Sequence, residues 1–424
     1  MSSKRWLALV LALGVGLSAG LVVSGTARAA VTLRVTTWGG VAEQNTYNQI
    51  IKKFEAKNPD VKVKVEVLPW PEYWSRLTVQ LVGGIAPDVM RMSGAFFGRL
   101  VRDGVLLNLE PLVARDKIDM ENDFLPQGGI FQYQGDYYGL HDLGDIVALY
   151  YNRDMFDAAG VNVPTESWTW NDDLAASKKL TRDANGDGRI DRWGAEMIMQ
   201  DMQSYWYNFL LQNGTTALNK EKTKSLLDTP AAIEAFEFMY SFYKLGYSPV
   251  PGVTGAQDDF MEEKTAMANR LTPLNITALA NVKFDWDMAP LPNGKRRASE
   301  MNWVAWTISR TTRNREAAWK LVRFLAEEGS WVLADTRQGL PSLKAAALSD
   351  RFLAPLAKGP KNLRSTLLAT LPYTADLQFT PTWNDWTAVV WREMVTVING
   401  QKSVENALRS ASDQINQLLA SERR

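Results

Sequence analysis

The chain contains no cysteine, only one histidine, and no surplus of either charge: 47 basic residues face 47 acidic ones over 424 positions. Without cysteine there can be no disulfide, no thiolate metal site and no lipid-modified N-terminal cysteine. A lone histidine, His141, removes most nucleophilic triads and zinc schemes, and no G-x-S-x-G is present. No G-x-G-x-x-G or G-K-[ST] follows the early glycines, so a phosphate-cradling loop is not indicated. The balanced charge argues against nucleic acid as a partner. Repeats and low-complexity segments are absent, and no second long apolar run follows the first. A carboxylate pair for glycoside hydrolysis stays open as a rival reading, because two suitably spaced acids can come from anywhere in a fold.

Residues 1–29 read as an export signal. Lys4 and Arg5 form a basic start, Trp6 to Val23 is apolar but broken by Gly14, Gly16 and Gly20, and Ala27-Arg28-Ala29 supplies a small-x-small cleavage site. The alternative is an uncleaved anchor, since the apolar stretch approaches the ~20 residues of a membrane span. Cleavage would remove three basic residues and leave a mature chain of 395 residues with a net charge of −3. At ~100–200 residues per domain, that length implies two or more lobes. With no lipid anchor, retention outside the cytoplasm favours a periplasm bounded by an outer membrane.

Hydrophobic spacing organises the mature chain into α/β units. Val31 to Thr37 reads as a strand ending in Trp38-Gly39-Gly40. A helix with Tyr47, Ile50, Ile51 and Phe54 on one face follows, and Val61, Val63, Val65 and Val67 then alternate along a second strand. Ligands in such βαβ sheets bind beyond the carboxyl ends of strands, which places Trp38, Gly39 and Gly40 where a ligand would be met. The span Gly139 to Gly144 reads as a polar turn and Ile146 to Tyr151 as a buried strand. Asn152 then caps a short helix that Gly160 stops. Thr229 and Pro230 open a helix ended by Gly246, Asn314 to Glu328 is a helix closed by Gly329, and Ser403 to Leu419 is a final amphipathic helix.

The segment YYNRDMFDAAGVNVPTESWTW, Tyr150 to Trp170, resembles the crossover signature of extracellular solute-binding proteins of ATP-binding cassette sugar importers. Tyr151, Asn152, Arg153, Asp154, Phe156, Ala159, Gly160, Pro164 and Trp168 match the family pattern in order. Ala86-Pro87-Asp88 and the Phe-x-x-x-Lys-x-Ala-Met wording of Phe260 to Met267 extend the likeness. The resemblance implies a two-lobed α/β periplasmic binding protein fold of type II-like form, two sheets flanked by helices and joined by three hinge crossings near residues 142, 270 and 336. Lobe 1 would hold residues 30–142 and 271–335, and lobe 2 residues 143–270 and 336–424. It further implies a monomeric, non-enzymatic binder of a di- or oligosaccharide or polyol derivative that closes on its ligand and docks on an inner-membrane permease. Glycerophosphodiester binders share the same wording, so that ligand stays open. A calcium-stabilised adhesin is a third reading.

Two groups of residues carry the chemistry. Sixteen tryptophans stand out, because an indole face lies flat on a pyranose ring while polar neighbours bind its hydroxyls. The expected ligand residues are Trp38, Gly39, Gly40, Glu43, Trp70, Trp74, Ser93, Asp142, Asp145, Trp206, Arg270, Asn302 and Trp303, with Arg270 a potential bidentate clamp. Asp88 is expected to serve local backbone instead. The second group is the loop Asp183-x-Asn185-x-Asp187-Gly188-x-Ile190-Asp191, which repeats the oxygen positions and turn glycine of a calcium loop, with Arg189 offering a carbonyl. Its twelfth position is Gly194, so the usual bidentate glutamate is missing; Glu196 is the nearest substitute. Hard oxygen donors favour Ca²⁺, in a structural role.

Overall fold

Alternating apolar residues and glycine-marked turns build the elements, and the computed structural model describes residues 30–126, 129–250, 259–272, 275–355 and 359–422, without the side chains of Arg270 and Leu271. The expected export signal, residues 1–29, lies outside the described residues. In chain order the first half runs β1 (Val31–Trp38), α1 (Val41–Lys57), β2 (Val61–Leu68), α2 (Trp70–Val82), β3 (Val89–Ser93), α3 (Gly94–Arg102), α4 (Glu110–Asp116), β4 (Gln132–Tyr133), β5 (Asp136–Tyr137), β6 (Gly139–Ile146), β7 (Ala148–Asn152), α5 (Arg153–Ala159), α6 (Trp170–Leu180), α7 (Tyr207–Gln212) and α8 (Pro230–Lys244). The second runs β8 (Met267–Leu271), α9 (Asn275–Leu279), β9 (Trp286–Ala289), β10 (Ser299–Ile308), α10 (Arg315–Thr336), β11 (Leu340–Pro341), α11 (Lys344–Ala347), α12 (Asp350–Leu353), α13 (Leu363–Thr370), β12 (Thr374–Asp376), α14 (Trp383–Ile398) and α15 (Val404–Ser421). No helix among the described residues is long and apolar enough to cross a membrane.

Two main sheets form the framework. The larger has the order β11-β6-β10-β3-β1-β2, with β12 alongside the first residues of β10. β1 is parallel to both β2 and β3, so the carboxyl ends of these three strands, at Trp38, Leu68 and Ser93, share one edge. The smaller sheet is β8-β7-β9, antiparallel throughout. Leu149 and Tyr151 on one face of β7 join the core formed with α5 to α8, α14 and α15, while Ala148 and Tyr150 face the opposite way.

The turn expected over Gly139 to Gly144 is instead the fully buried strand β6. Its glycines are there for close approach: a Cβ on Gly144 would lie 2.5 Å from the Trp303 ring, and one on Gly139 3.0 Å from the Ala305 Cβ. Val147 separates β6 on the large sheet from β7 on the small one, so the first change of sheet falls five residues beyond the expected 142. Both β8 and β9 pair with β7, and the chain regains the large sheet only at β10. β11, just after residue 336, still pairs with β6, and β12 lies beside β10 in the same sheet. α10 does not stop at Gly329 but runs through it to Thr336, because that glycine packs against Ile50 and only Arg337 adopts the left-handed conformation, at φ 55°.

Candidate functional site

The three parallel strand ends meet in a pocket of about 170 Å³ lined by Trp38, Glu43, Tyr47, Trp70, Arg91, Ser93, Leu143, Asp145, Gln203, Asn302, Val304, Leu333 and Gln338. Trp38 ends β1, Trp70 opens α2 just after β2, and Ser93 ends β3. Asn302 faces Asp145 across the β10–β6 ladder, so both line the pocket from neighbouring strands. Gln203 comes from the other half of the molecule, on an irregular turn, Met202–Trp206, in which Ser204 sits at φ 66°.

An aromatic corner forms one wall. The Trp38 ring stands perpendicular to Trp70, with centroids 5.0 Å apart, and edge-on to Tyr73 at 5.2 Å. Trp70 is 43 % exposed and presents the accessible face. Trp74 lies behind both rings, buried and stacked on Phe96 at 3.7 Å. Two faces at right angles give flat apolar surfaces for a ring-shaped ligand, with polar groups on the remaining walls.

Beneath this corner sits a buried ion pair. The Arg91 guanidinium lies 4.6 Å from the Trp38 ring centroid and 5.4 Å from that of Tyr47, and its Nε is 3.1 Å from Asp142 Oδ2. The Tyr47 hydroxyl donates to the same carboxylate oxygen at 2.7 Å. Burial by itself would lower the Arg91 pKa, but the Tyr47, Asp142 and Glu43 oxygens raise it above its ordinary value, and Arg91 remains a cation. Burial pushes the Asp142 carboxyl up, opposed by Arg91 and Tyr47. Glu43, in the first turn of α1, reaches back to accept from Gly40 N at 2.8 Å. Gly39, at φ 152°, leaves room for that turn. Ser93 caps α3 by accepting from Ala95 N at 3.3 Å.

The far wall rests on Glu300. Ser204 N donates to its Oε1, Asn208 Nδ2 to its Oε2 at 3.4 Å, and Glu300 N donates to Asn208 Oδ1 at 2.7 Å. Burial raises the Glu300 pKa to about 8, with the Asp145 charge adding to the shift and the Ser204 amide opposing it. Glu300 thereby ties β10 to the turn that carries Gln203.

The family model for bacterial extracellular solute-binding proteins matches residues 38–330. The chain belongs to this family. Among individual members, a binding protein of Brucella abortus with no ligand in its name is 27 % identical over 421 residues, covering 95 % of this chain and 98 % of that one. A galactooligosaccharide-binding protein of Bacillus subtilis is 24 % identical over 322 residues, 74 % of this chain and 73 % of that protein. Among solved structures, an ABC substrate-binding protein from Listeria monocytogenes in complex with cycloalternan superposes with a TM-score of 0.82 at 26 % identity, covering 92 % of this chain and 99 % of that one.

In this solute-binding protein the expected ligand residues divide into three groups. Trp38, Glu43, Trp70, Ser93, Asp145 and Asn302 line the pocket, and Gly39 and Gly40 shape the turn beside it. Asp142 sits one layer deeper, on Arg91. Trp74, Trp206 and Trp303 do not reach the pocket. Trp206 is fully buried among the helices of the second lobe, and Trp303 points to the opposite face of β10, where its Nε1 donates to Pro126 O at 3.1 Å. Strand alternation explains the last case, since Asn302 and Val304 face the pocket and the residue between them cannot. Arg270 lies in β8 with its side chain outside the described residues. Asp88 accepts from Arg34 N at 2.9 Å and from the Thr312 hydroxyl.

Arg91, Tyr47, Gln203 and Gln338 were missed in the sequence. Arg91 had a signal: it stands two residues before Ser93 on the same strand, hence on the same face. Gln203 had none, because its turn has no period.

The Asp183 to Asp191 loop is exposed, and its side-chain oxygens are turned onto its own backbone. Asp183 accepts from Gly186 N and Gly188 N, both at 2.7 Å, Asn185 from Asp187 N at 2.9 Å, Asp187 from Arg189 N at 2.9 Å, and Asp191 from Ala184 N at 2.8 Å. These bonds hold the Asp183 carboxyl below its ordinary pKa, chiefly the one from Gly188. No group of three or more acidic or histidine side chains among the described residues is arranged to hold a metal ion. The donors suit Ca²⁺ in kind.

Proposed function

We propose that this solute-binding protein captures a carbohydrate, a di- or oligosaccharide or a polyol derivative, and delivers it to an ATP-binding cassette importer. The observation that carries the reading is the perpendicular Trp38–Trp70 corner set against Glu43, Ser93, Asp145, Gln203 and Asn302, an apolar ring platform facing hydroxyl-binding groups. It is supported by a relative named as a galactooligosaccharide-binding protein and by the similar substrate-binding protein solved in complex with cycloalternan. Gln203 and Glu300 link the two halves across the pocket, so a ligand that touches both favours the closed arrangement by those added contacts. The mature chain acts as a periplasmic monomer released from its export signal, and the closed form is what a permease reads.

The test is a tryptophan-fluorescence titration of the mature protein with a panel of oligosaccharides, followed by analysis of the sugar. Saturable one-to-one binding with the sugar recovered intact is expected, whereas release of new reducing ends would replace the binder with a hydrolase.

Calcium at the Asp183 to Asp191 loop is proposed on the spacing of its oxygen donors. Binding would have to draw Asp183, Asn185, Asp187 and Asp191 off their backbone partners and onto the ion with the Arg189 carbonyl. The ion would stiffen the loop and take no part in ligand binding. A melting temperature that ignores both chelator and added Ca²⁺ removes this part of the proposal.

A further inference from the structure

We propose that Glu300, which lies outside the pocket wall, is a positioning residue for the solute: its carboxyl fixes the turn Met202–Trp206 and so holds Gln203 against the bound molecule. The proposal rests on the carbohydrate reading. Among the described residues lining the pocket, Gln203 alone stands on a turn whose neighbours Met202 and Trp206 are buried in the core around α6 to α8; the others sit on β1, β3, β6, β10, α1, α2 and α10 or beside them. A solute seated on Trp38 and Trp70 therefore gains from closure through Gln203. Whatever fixes Gln203 sets how tightly the solute is held.

The turn does not hold itself. Gln203, Ser204 and Tyr205 leave helical geometry one after another, with ψ 130° at Gln203, φ 66° at Ser204 and φ −127°, ψ −109° at Tyr205. A non-glycine residue in the left-handed region persists only where its surroundings over-determine it. Met202 and Trp206 anchor the two ends in the core, while the three residues between them are half-buried. Glu300 supplies the hold in the middle. It stands two residues before Asn302, hence on the same side of β10, but the turn lies over it and leaves it 1 % exposed. Its Oε1 accepts from Ser204 N, the amide at the strained position, and its Oε2 accepts from Asn208 Nδ2 at 3.4 Å. Asn208 also donates to Tyr205 O at 3.3 Å and accepts from Glu300 N at 2.7 Å, which joins the acid, the turn and the start of α7 into one unit. Removing the carboxyl takes the acceptor from Ser204 N, and a turn released from it gives Gln203 many positions instead of one.

The experiment is a double-mutant cycle on the mature protein, read by calorimetry with whichever of maltotriose, cellotriose and galactotriose binds tightest. Gln203→Ala and Glu300→Ala should each weaken binding about tenfold. The double variant should be no weaker than either alone, because both changes remove the same contact. Glu300→Gln, which still offers Ser204 N an acceptor, should recover most of what Glu300→Ala loses. A merely structural role would lower the melting temperature but leave the two losses additive. Glu300→Asp, one methylene too short to reach Ser204 N, takes its place in the cycle if Glu300→Ala does not fold. In the ligand-free proteins, amide hydrogen exchange at Ser204 should quicken by at least about tenfold in Glu300→Ala and not in Glu300→Gln. Additive losses, an undiminished affinity in either single variant, or a Glu300→Gln as weak as Glu300→Ala overturns the proposal and leaves the carbohydrate reading standing. Silence with every sugar overturns the carbohydrate reading, and exchange at Ser204 then decides alone: unchanged in Glu300→Ala, it overturns the hold of Glu300 on the turn as well.

Discussion

Asp142 shows how a residue can matter to a binding site without touching the ligand. It is fully buried beneath the pocket and holds Arg91, which in turn supports the Trp38 ring. Removing one partner of a buried pair leaves an uncompensated charge, a loss of about 3–5 kcal/mol. Asp142→Ala should therefore lower stability by that order in chemical denaturation, and shift Trp38 emission even without ligand. Asp142→Asn, which keeps an acceptor for Tyr47, should lose less. Equal losses in the two variants would mean that Arg91 does not depend on the charge. At this scale the sequence was legible where a residue's role follows from its place at a strand end, as for Trp38 and Ser93. It was misleading where the role depends on which face of a strand is turned inward, as for Trp303, which is adjacent to Asn302 in the chain and opposite to it in space.

Among elements, β1, α1 and β2 could be read directly, since alternation along the strands and a single stripe on the helix are local signals. β6 could not. Its glycines and charges look like a turn, and only contacts from distant segments, Trp303 against Gly144 and Tyr47 on Asp142, make a strand of it. α10 gave the same lesson with Gly329, a stop signal in sequence and a packing residue against Ile50 in space. The β1–α1 turn is the element on which the pocket depends most. Gly39 combines φ 152° with no free volume, for a Cβ there would lie 2.6 Å from the Glu43 Cβ. Gly39→Ala should cost about 1–3 kcal/mol in backbone strain and push Glu43 off Gly40 N. The expected result is weaker ligand binding with a modest fall in melting temperature, measured against Gly246→Ala, which is also at positive φ but open on all sides. Matching losses of affinity in the two variants would show that the turn does not set the pocket.

For the whole molecule, three buried groups bend the stability curve away from the usual acid-labile form. Glu300 has its pKa raised to about 8 from an ordinary 4.5, and Asp173, buried with Asn269 Nδ2 donating to it at 2.6 Å, is raised to about 7 from 3.8. In each case the folded protein holds a proton that the unfolded chain has released, so stability falls as pH rises between the two values. His141, buried among Phe131 and Trp303, is lowered to about 3 from 6.5 and works the other way, adding stability as pH rises to 6.5. Two carboxyls oppose one imidazole up to pH 6.5 and nothing opposes them above it. The net expectation is a decline from about pH 5.5 to 8.5, of roughly 2–4 kcal/mol at ~1.4 kcal/mol per pKa unit. Urea titrations of the ligand-free mature protein across that range measure it. Glu300→Gln keeps a neutral group that can still accept from Ser204 N, and should flatten most of the decline above pH 7, where Glu300 is the last of the three still changing charge. A wild-type profile that is level or rising from pH 5.5 to 8.5 would mean that Glu300 and Asp173 are ionised in the folded protein, and that Gln203 is held in the pocket by a charge rather than by a neutral acid.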